Sequence, residues 1–251
     1  MAQLRFFLLF TLLFAITGFQ SIYSQTVIES WTPEAMVNQP VVGSPAISPD
    51  GSMITYTIRE TKMEGEESEF LSHIWVASAD GSMNRQFTRG DQSVSNPQFS
   101  PDGQFLSFTS RRSGENQIYR MYLNGGEAEQ ITHAENGVGT YAWSPDGSRV
   151  AYTMSDPQTE EEKKREQEKR DVTVVDTDFK FSRIYVQPLD QDSAKAVYGD
   201  DLHASSFSWS PDGETIVFAH QPTPKIEDRY KMDISTVPAD SGLVTTIIDW
   251  E

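Results

Sequence analysis

Apolar and polar residues alternate in short bursts along this chain: Ile54, Tyr56 and Ile58; Leu106 and Phe108; Val150, Tyr152 and Met154; Ile216 and Phe218. A period of two sends successive side chains to opposite faces of an extended backbone, so each burst predicts a β-strand. Ahead of each burst stands the tetrapeptide Ser-Pro-Asp-Gly, beginning at Ser48, Ser100, Ser144 and Ser210 and preceded by a large apolar residue, Ile47, Phe99, Trp143 or Trp209. Proline presets φ at the first corner, aspartate bonds the local backbone, and glycine takes the positive φ that returns the chain. Each tetrapeptide therefore predicts a hairpin turn.

A second apolar strand follows around Ile74-Trp75-Val76, Ile118-Tyr119, Ile184-Tyr185-Val186 and Ile234, and a further short one sits at Phe87, Ile131, Val197 and Ile247. The interval between these two is thirteen residues in every copy, and the interval from Phe87, Ile131 or Val197 to the next pre-turn aromatic is twelve. Length varies only across the connection before the Ile-containing strand, where the intervals from the pre-turn residue are 27, 19, 41 and 25. Insertions therefore collect on one rim. A unit of ~44 residues with several short strands and an aromatic anchor predicts an all-β fold of β-propeller blades, each needing its neighbours to bury its faces. An open β-sandwich, the competing architecture, would not require such strict spacing. Another aromatic is due twelve residues after Ile247, beyond Glu251, so the four repeat units are expected to form an incomplete ring.

Outside the repeat, residues 1–25 carry the lone charge Arg5 before an apolar run from Phe6 to Phe19, then Ser21-Ile22-Tyr23-Ser24. That pattern predicts a signal peptide cut after Ser24 or Gln25, and hence a secreted or periplasmic protein with no membrane association after cleavage. Residues 26–45 read as a lead-in whose Thr32-Pro33-Glu34-Ala35-Met36 starts a short helix, with Thr as cap and Pro at the first helical position. Blades are expected over 46–251. The third copy's excess is a charged rim insertion at about 156–171, where Glu160 with Lys164, Glu161 with Arg165 and Glu166 with Arg170 are helix-supporting spacings. It reads as a solvated helix or loop, or more sharply as a lid or partner contact overhanging the pore.

The net charge of −17 argues against nucleic acid and anionic lipid as partners, since either polyanion is repelled without a basic patch, and favours a cationic or zwitterionic one. The absence of cysteine excludes disulfides, thiolate catalysis and cysteine-ligated metals.

No catalytic, cofactor-binding or metal-binding residues are assigned, and no cofactor is expected. No serine has glycine two residues before and two after it, so the nucleophile elbow is missing. His73, His133, His203 and His220 lie far apart in sequence. Gly137-Val138-Gly139-Thr140-Tyr141-Ala142 leads into a hairpin instead of a helix, and so predicts an inter-blade linker, not a dinucleotide site. Asp176-x-Asp178 lacks the glycine and closing Glu of a calcium loop.

Three stretches nevertheless resemble a known group: Thr32-Pro33-Glu34; Gly43-Ser44-Pro45-Ala46-Ile47 leading into the first turn; and Asp171-Val172-Thr173-Val174-Val175-Asp176-Thr177-Asp178-Phe179-Lys180-Phe181-Ser182-Arg183-Ile184-Tyr185-Val186. With the turns, they are similar to the N-terminal β-propeller portion of secreted prolyl-oligopeptidase-family serine peptidases of acylaminoacyl- and dipeptidyl-peptidase type. The turns alone look equally like TolB-type propellers. The resemblance implies a propeller that gates short peptide substrates for a C-terminal α/β-hydrolase domain, whose triad would lie downstream of Glu251, so no nucleophile is carried here. The alternative is a non-catalytic TolB-like propeller acting as a protein-binding scaffold in the periplasm. Glu160-Glu161-Glu162 lacks the aromatic context of the dipeptidyl type's glutamate pair and is not assigned that role.

Overall fold

A computed structural model of the chain describes residues 32–64, 67–170 and 179–250, which leaves the expected signal peptide, 1–25, outside the described residues. The chain divides after Val37 into two compact units. In the first, helix α1 (Pro33–Val37) is capped by the Thr32 hydroxyl, which accepts the Ala35 amide at 3.1 Å.

In the second unit the described strands form four sheets of four antiparallel strands, each sheet in plain chain order. Blade 1 comprises β1 (Val41–Ile47), β2 (Met53–Glu64), β3 (Glu67–Ser78) and β4 (Asn84–Gln86). Blade 2 comprises β5 (Val94–Phe99), β6 (Phe105–Ser113), β7 (Glu115–Tyr122) and β8 (Glu129–Gln130). Blade 3 comprises β9 (Tyr141–Trp143), β10 (Arg149–Ser155), β11 (Ser182–Pro188) and β12 (Lys195–Ala196), with helix α2 (Glu160–Gln167) between β10 and β11. Blade 4 comprises β13 (His203–Trp209), β14 (Thr215–Gln221), β15 (Asp233–Pro238) and β16 (Thr245–Ile248). The unit is an open, incomplete β-propeller, the all-β fold the repeat predicts.

Each Ser-Pro-Asp-Gly turn joins the first strand of a blade to the second. In the third copy the Ser144 hydroxyl donates to Asp146 at 2.5 Å and accepts the Arg149 amide at 2.9 Å, while Gly147 takes φ +71°. The other copies repeat these bonds from Ser48, Ser100 and Ser210. A fifth turn, Ser78-Ala79-Asp80-Gly81, is built the same way between β3 and β4, with Ser78 accepting the Met83 amide at 2.8 Å and Asp80 the Ser82 amide at 2.9 Å. Successive turns touch: a β-carbon added to Gly147 would lie 3.6 Å from Pro101 Cδ, and one on Gly213 would lie 3.4 Å from Pro145 Cδ.

The thirteen-residue interval has a direct cause. The carbonyls of Ile74, Ile118 and Ile184 accept the amides of Phe87, Ile131 and Val197 at 2.7, 2.8 and 3.0 Å. These three contacts lie just past the ends of β4, β8 and β12, so the outer strands stop one residue short of the apolar positions that mark them. In blade 4 the partner of Ile234 is Ile248, displaced by an irregularity between Ile234 and Ser235. Thr88 and Thr132 extend the pattern, their hydroxyls accepting the Ile74 and Ile118 amides at 2.8 and 2.9 Å.

Apolar residues meet between blades, in three cores. Ile74 and Val76 of blade 1 face Leu106 and Phe108 of blade 2; Ile118 faces Val150 and Tyr152; Ile184 and Val186 face Ile216 and Phe218. Full burial of one such side chain stabilises by about 1.5–3 kcal/mol. Trp143 Nε1 donates 2.8 Å back to Ser107 of blade 2, and Trp209 Nε1 donates 3.3 Å back to the Ala142 carbonyl of blade 3. The two end faces lack such neighbours: Ile54, Tyr56 and Trp75 of blade 1 and Ile234 of blade 4 are only half-buried, and Ile47 is 64% exposed where Trp143 is 9%.

Candidate functional site

Antiparallel meanders put the Ser-Pro-Asp-Gly turns on one rim and the second-to-third-strand connections, with the inter-blade linkers, on the other. The second rim carries the long β2–β3 hairpin and the α2 insertion. Between their roots opens a cleft of about 540 Å³ spanning blades 1 to 3, a volume within the usual range for small-molecule sites.

Its walls are strand ends. Glu69, Phe70 and Leu71 come from the start of β3; Thr109, Ser110 and Arg111 from the end of β6; Thr153, Met154 and Ser155 from the end of β10. Hydroxyls knit these walls together: Ser95 and Thr109 share a bond of 2.9 Å, Ser110 donates to the Ser93 carbonyl at 3.1 Å, and Ser93 accepts the Ser72 amide at 3.1 Å. The floor is the linker 136–139. Gly137 has φ +72°, and a β-carbon on Gly139 would come 2.5 Å from Thr153 Oγ1, a clash. The glycines that imitate a dinucleotide fingerprint thus serve the close passage of the linker from blade 2 to blade 3.

At the β6–β7 tip the strands lose register between Ser110 and Ser113, and the two neighbouring arginines part. Arg112 lies over Phe108 and Tyr119, 5.2 and 4.8 Å from the ring centres, and its Nε donates to Ser110 Oγ at 3.4 Å. Among the described residues Arg111 is the one basic side chain lining the cleft, and it has no hydrogen-bond or ion-pair partner there. The acidic lining residues are Glu69, Asp91 and Glu115, of which Asp91 lies 3.7 Å from Lys62.

The root of the insertion is clamped. Arg183 holds both Asp156 oxygens, at 2.7 and 3.2 Å, reaches Asp201 at 2.9 Å, and also donates to the Asp200 carbonyl. Helix α2 opens on a capping box in which the Thr159 hydroxyl accepts the Glu162 amide and Glu162 accepts the Thr159 amide. Lys180 bonds Glu162 at 2.6 Å, and with the Thr159 amide it holds this carboxylate down to about 2. Of the expected helix pairs, Glu160 meets Lys163 rather than Lys164, and Arg170 meets Glu168. Every described residue of α2 is outside the core.

The histidines stay apart. His203 Nδ1 accepts the Ser182 amide at 3.1 Å, and His220 bonds Ser235 at 2.8 Å. Serine, histidine and the cross-strand Asp233 mimic a nucleophilic triad, but Ser235 is fully buried and His220 Nδ1 has no partner to orient the ring. Among the described residues no three acidic or histidine side chains are grouped as metal ligands, and no helix is long and apolar enough to cross a membrane. Asp176 and Asp178 lie outside the described residues.

The family model described as the TolB beta propeller domain, PD40, matches residues 17–177. An uncharacterized peptidase, YuxL, of Bacillus subtilis is 28% identical over 193 residues, which is 71% of this chain and 29% of the relative. Dipeptidyl-peptidase 5 of Porphyromonas endodontalis is 24% identical over 122 residues, 49% of this chain and 17% of the relative. The chain thus spans under a third of these two peptidases. Among solved structures, the Pyrococcus horikoshii acylaminoacyl peptidase superposes with a TM-score of 0.62 at 16% identity, over 87% of this chain and 34% of that one.

Proposed function

Since the chain belongs to the TolB beta propeller family, we propose that it is the substrate-gating propeller of a secreted or periplasmic serine exopeptidase acting on short peptides, with the α/β-hydrolase domain lying outside this chain. The observation that supports this most is the cleft on the insertion rim, set among relatives that are peptidases and of which this chain matches a propeller-sized part. Strand β1 enters blade 1 from that same rim. Gating here is steric: a cleft bounded by the β2–β3 hairpin and the α2 insertion admits an extended segment and refuses a folded domain.

The test is the gene's full reading frame. Its product should hydrolyse short chromogenic peptides, leave folded proteins intact, and lose discrimination when residues 157–170 are shortened to a tight turn. A frame with no hydrolase, and a product with no peptidase activity, would favour the second reading, a TolB-like scaffold that binds protein without catalysis, to which the family itself lends support. The compartment is tested separately: an envelope-fraction protein whose mature N-terminus is Gln25 or Thr26 supports export, and an intact Met1 opposes it.

A further inference from the structure

On the reading of this cleft as a peptide site, we infer that Arg111 is its specificity-determining residue and that it recognises a carboxylate on the peptide. The cleft's own hydroxyls at Ser93, Ser95, Thr109 and Ser110 are consumed in holding its walls, whereas among the described residues the Arg111 guanidinium has no partner. Its neighbour Arg112 shows what this hairpin does with an arginine that serves the fold: it is stacked on two rings and bonded to Ser110. Arg111 does neither, yet its backbone is fixed by the turn in which its carbonyl accepts the Gly114 amide at 2.9 Å. A fork of N–H donors on a rigid tip suits the two oxygens of a carboxylate.

Glu69, Asp91 and Glu115 also line the cleft, so an anion is not drawn there by net charge. Their field falls off in salt over a Debye length of about 8 Å, while a bidentate contact adds two directional hydrogen bonds at contact distance. What Arg111 selects is therefore a carboxylate delivered on a chain that the cleft holds by other means. Phe70, Val138 and Met154 supply apolar wall, and Ser155 and Ser182 supply hydroxyls. The carboxylate is either the peptide's own C-terminus or an acidic side chain.

The experiment is calorimetric titration of the full chain with three probes: N-acetyl-Ala-Ala-Phe as free acid, the same peptide as amide, and N-acetyl-Ala-Glu-Phe amide. The acetyl group removes any contribution from an amino terminus. At least one carboxylate-bearing probe should bind about tenfold or more tightly than the neutral amide. That preference should fall within about twofold in Arg111→Gln and be intermediate in Arg111→Lys, which keeps the charge and loses the fork. If only the free acid gains, the C-terminus is the recognised group; if the Glu-containing amide gains, it is the side chain. Equal binding of all three peptides, or a preference that survives Arg111→Gln, overturns the inference and leaves the peptide site standing. No binding by any of them overturns both. Matched melting curves for the variants, with Arg89→Gln as a charge-matched control outside the cleft, exclude unfolding as the cause.

Discussion

At the scale of single residues, the turn aspartates carry a measurable signature. Hydroxyls of Ser144 and Ser148 hold Asp146 down to about 2 from 3.8, Ser48 does the same for Asp50, and the Ser82 amide and the Ser78 hydroxyl do it for Asp80. A carboxylate with a depressed folded-state pKa contributes stability in full above its unfolded value, and that contribution is lost as pH falls through the folded one. The melting temperature should therefore drop as pH is lowered from about 4 to about 2, and Asp146→Asn should show a shallower drop from a lower starting point. A plateau down to pH 2 would contradict this. Gly139→Ala is expected to cost about 1–3 kcal/mol in denaturant melts, because the new methyl meets Thr153 Oγ1 and either the linker or β10 must shift. Such effects were legible from the sequence at the turns, where four residue types at fixed positions dictate the geometry. They were not legible at Gly139, whose need for glycine comes from a strand fourteen residues away, nor at Arg111 and Arg112, which only a register shift tells apart.

Among elements, the α2 insertion is the one held by ions instead of apolar contacts. Its charge-rich composition announced an exposed segment, and the helix indeed has no buried residue. Composition could not announce the clamp, because Arg183 and Asp156 lie on opposite sides of the insertion and meet only once β10 and β11 pair. The Arg183 side chain is 13% exposed and Asp156 22%, so Arg183→Met strands a partly buried carboxylate at a cost of about 2 kcal/mol. Trypsin should then cut at Lys163, Lys164 or Arg165 several-fold faster, with the blades otherwise intact. Unchanged cutting would mean that Lys180 and the capping box suffice. A parallel case is Thr132→Val: Thr132 is fully buried, and the change leaves the Ile118 amide without its partner and takes one donor from Gln117, which keeps its bonds to Ala134, for a loss of about 1–3 kcal/mol.

For the whole molecule, stability resides between blades. The strict spacing showed where each blade begins, but the interfaces lay hidden, since a period of two does not say which neighbour a strand's face will meet. Equivalent positions therefore differ by context. Ile118→Asp, at a blade 2 to blade 3 core, should abolish cooperative unfolding, whereas Ile234→Asp, on the half-buried last face, should lower the midpoint only modestly; comparable damage from both would show that blade 4's outer face is already covered. Trp143→Phe should cost about 1–2 kcal/mol by removing the bond to Ser107 across that interface.

The turns give that assembly its polarity. Each presents a proline ring toward the following blade and a bare glycine toward the preceding one, as between Pro101 and Gly147 and between Pro145 and Gly213. It is a coupling with unlike ends, so the turns stack in one direction only. A gene that duplicates or drops one such unit still encodes matching ends at the junction, which makes the number of blades an easy variable for evolution and their direction a fixed one.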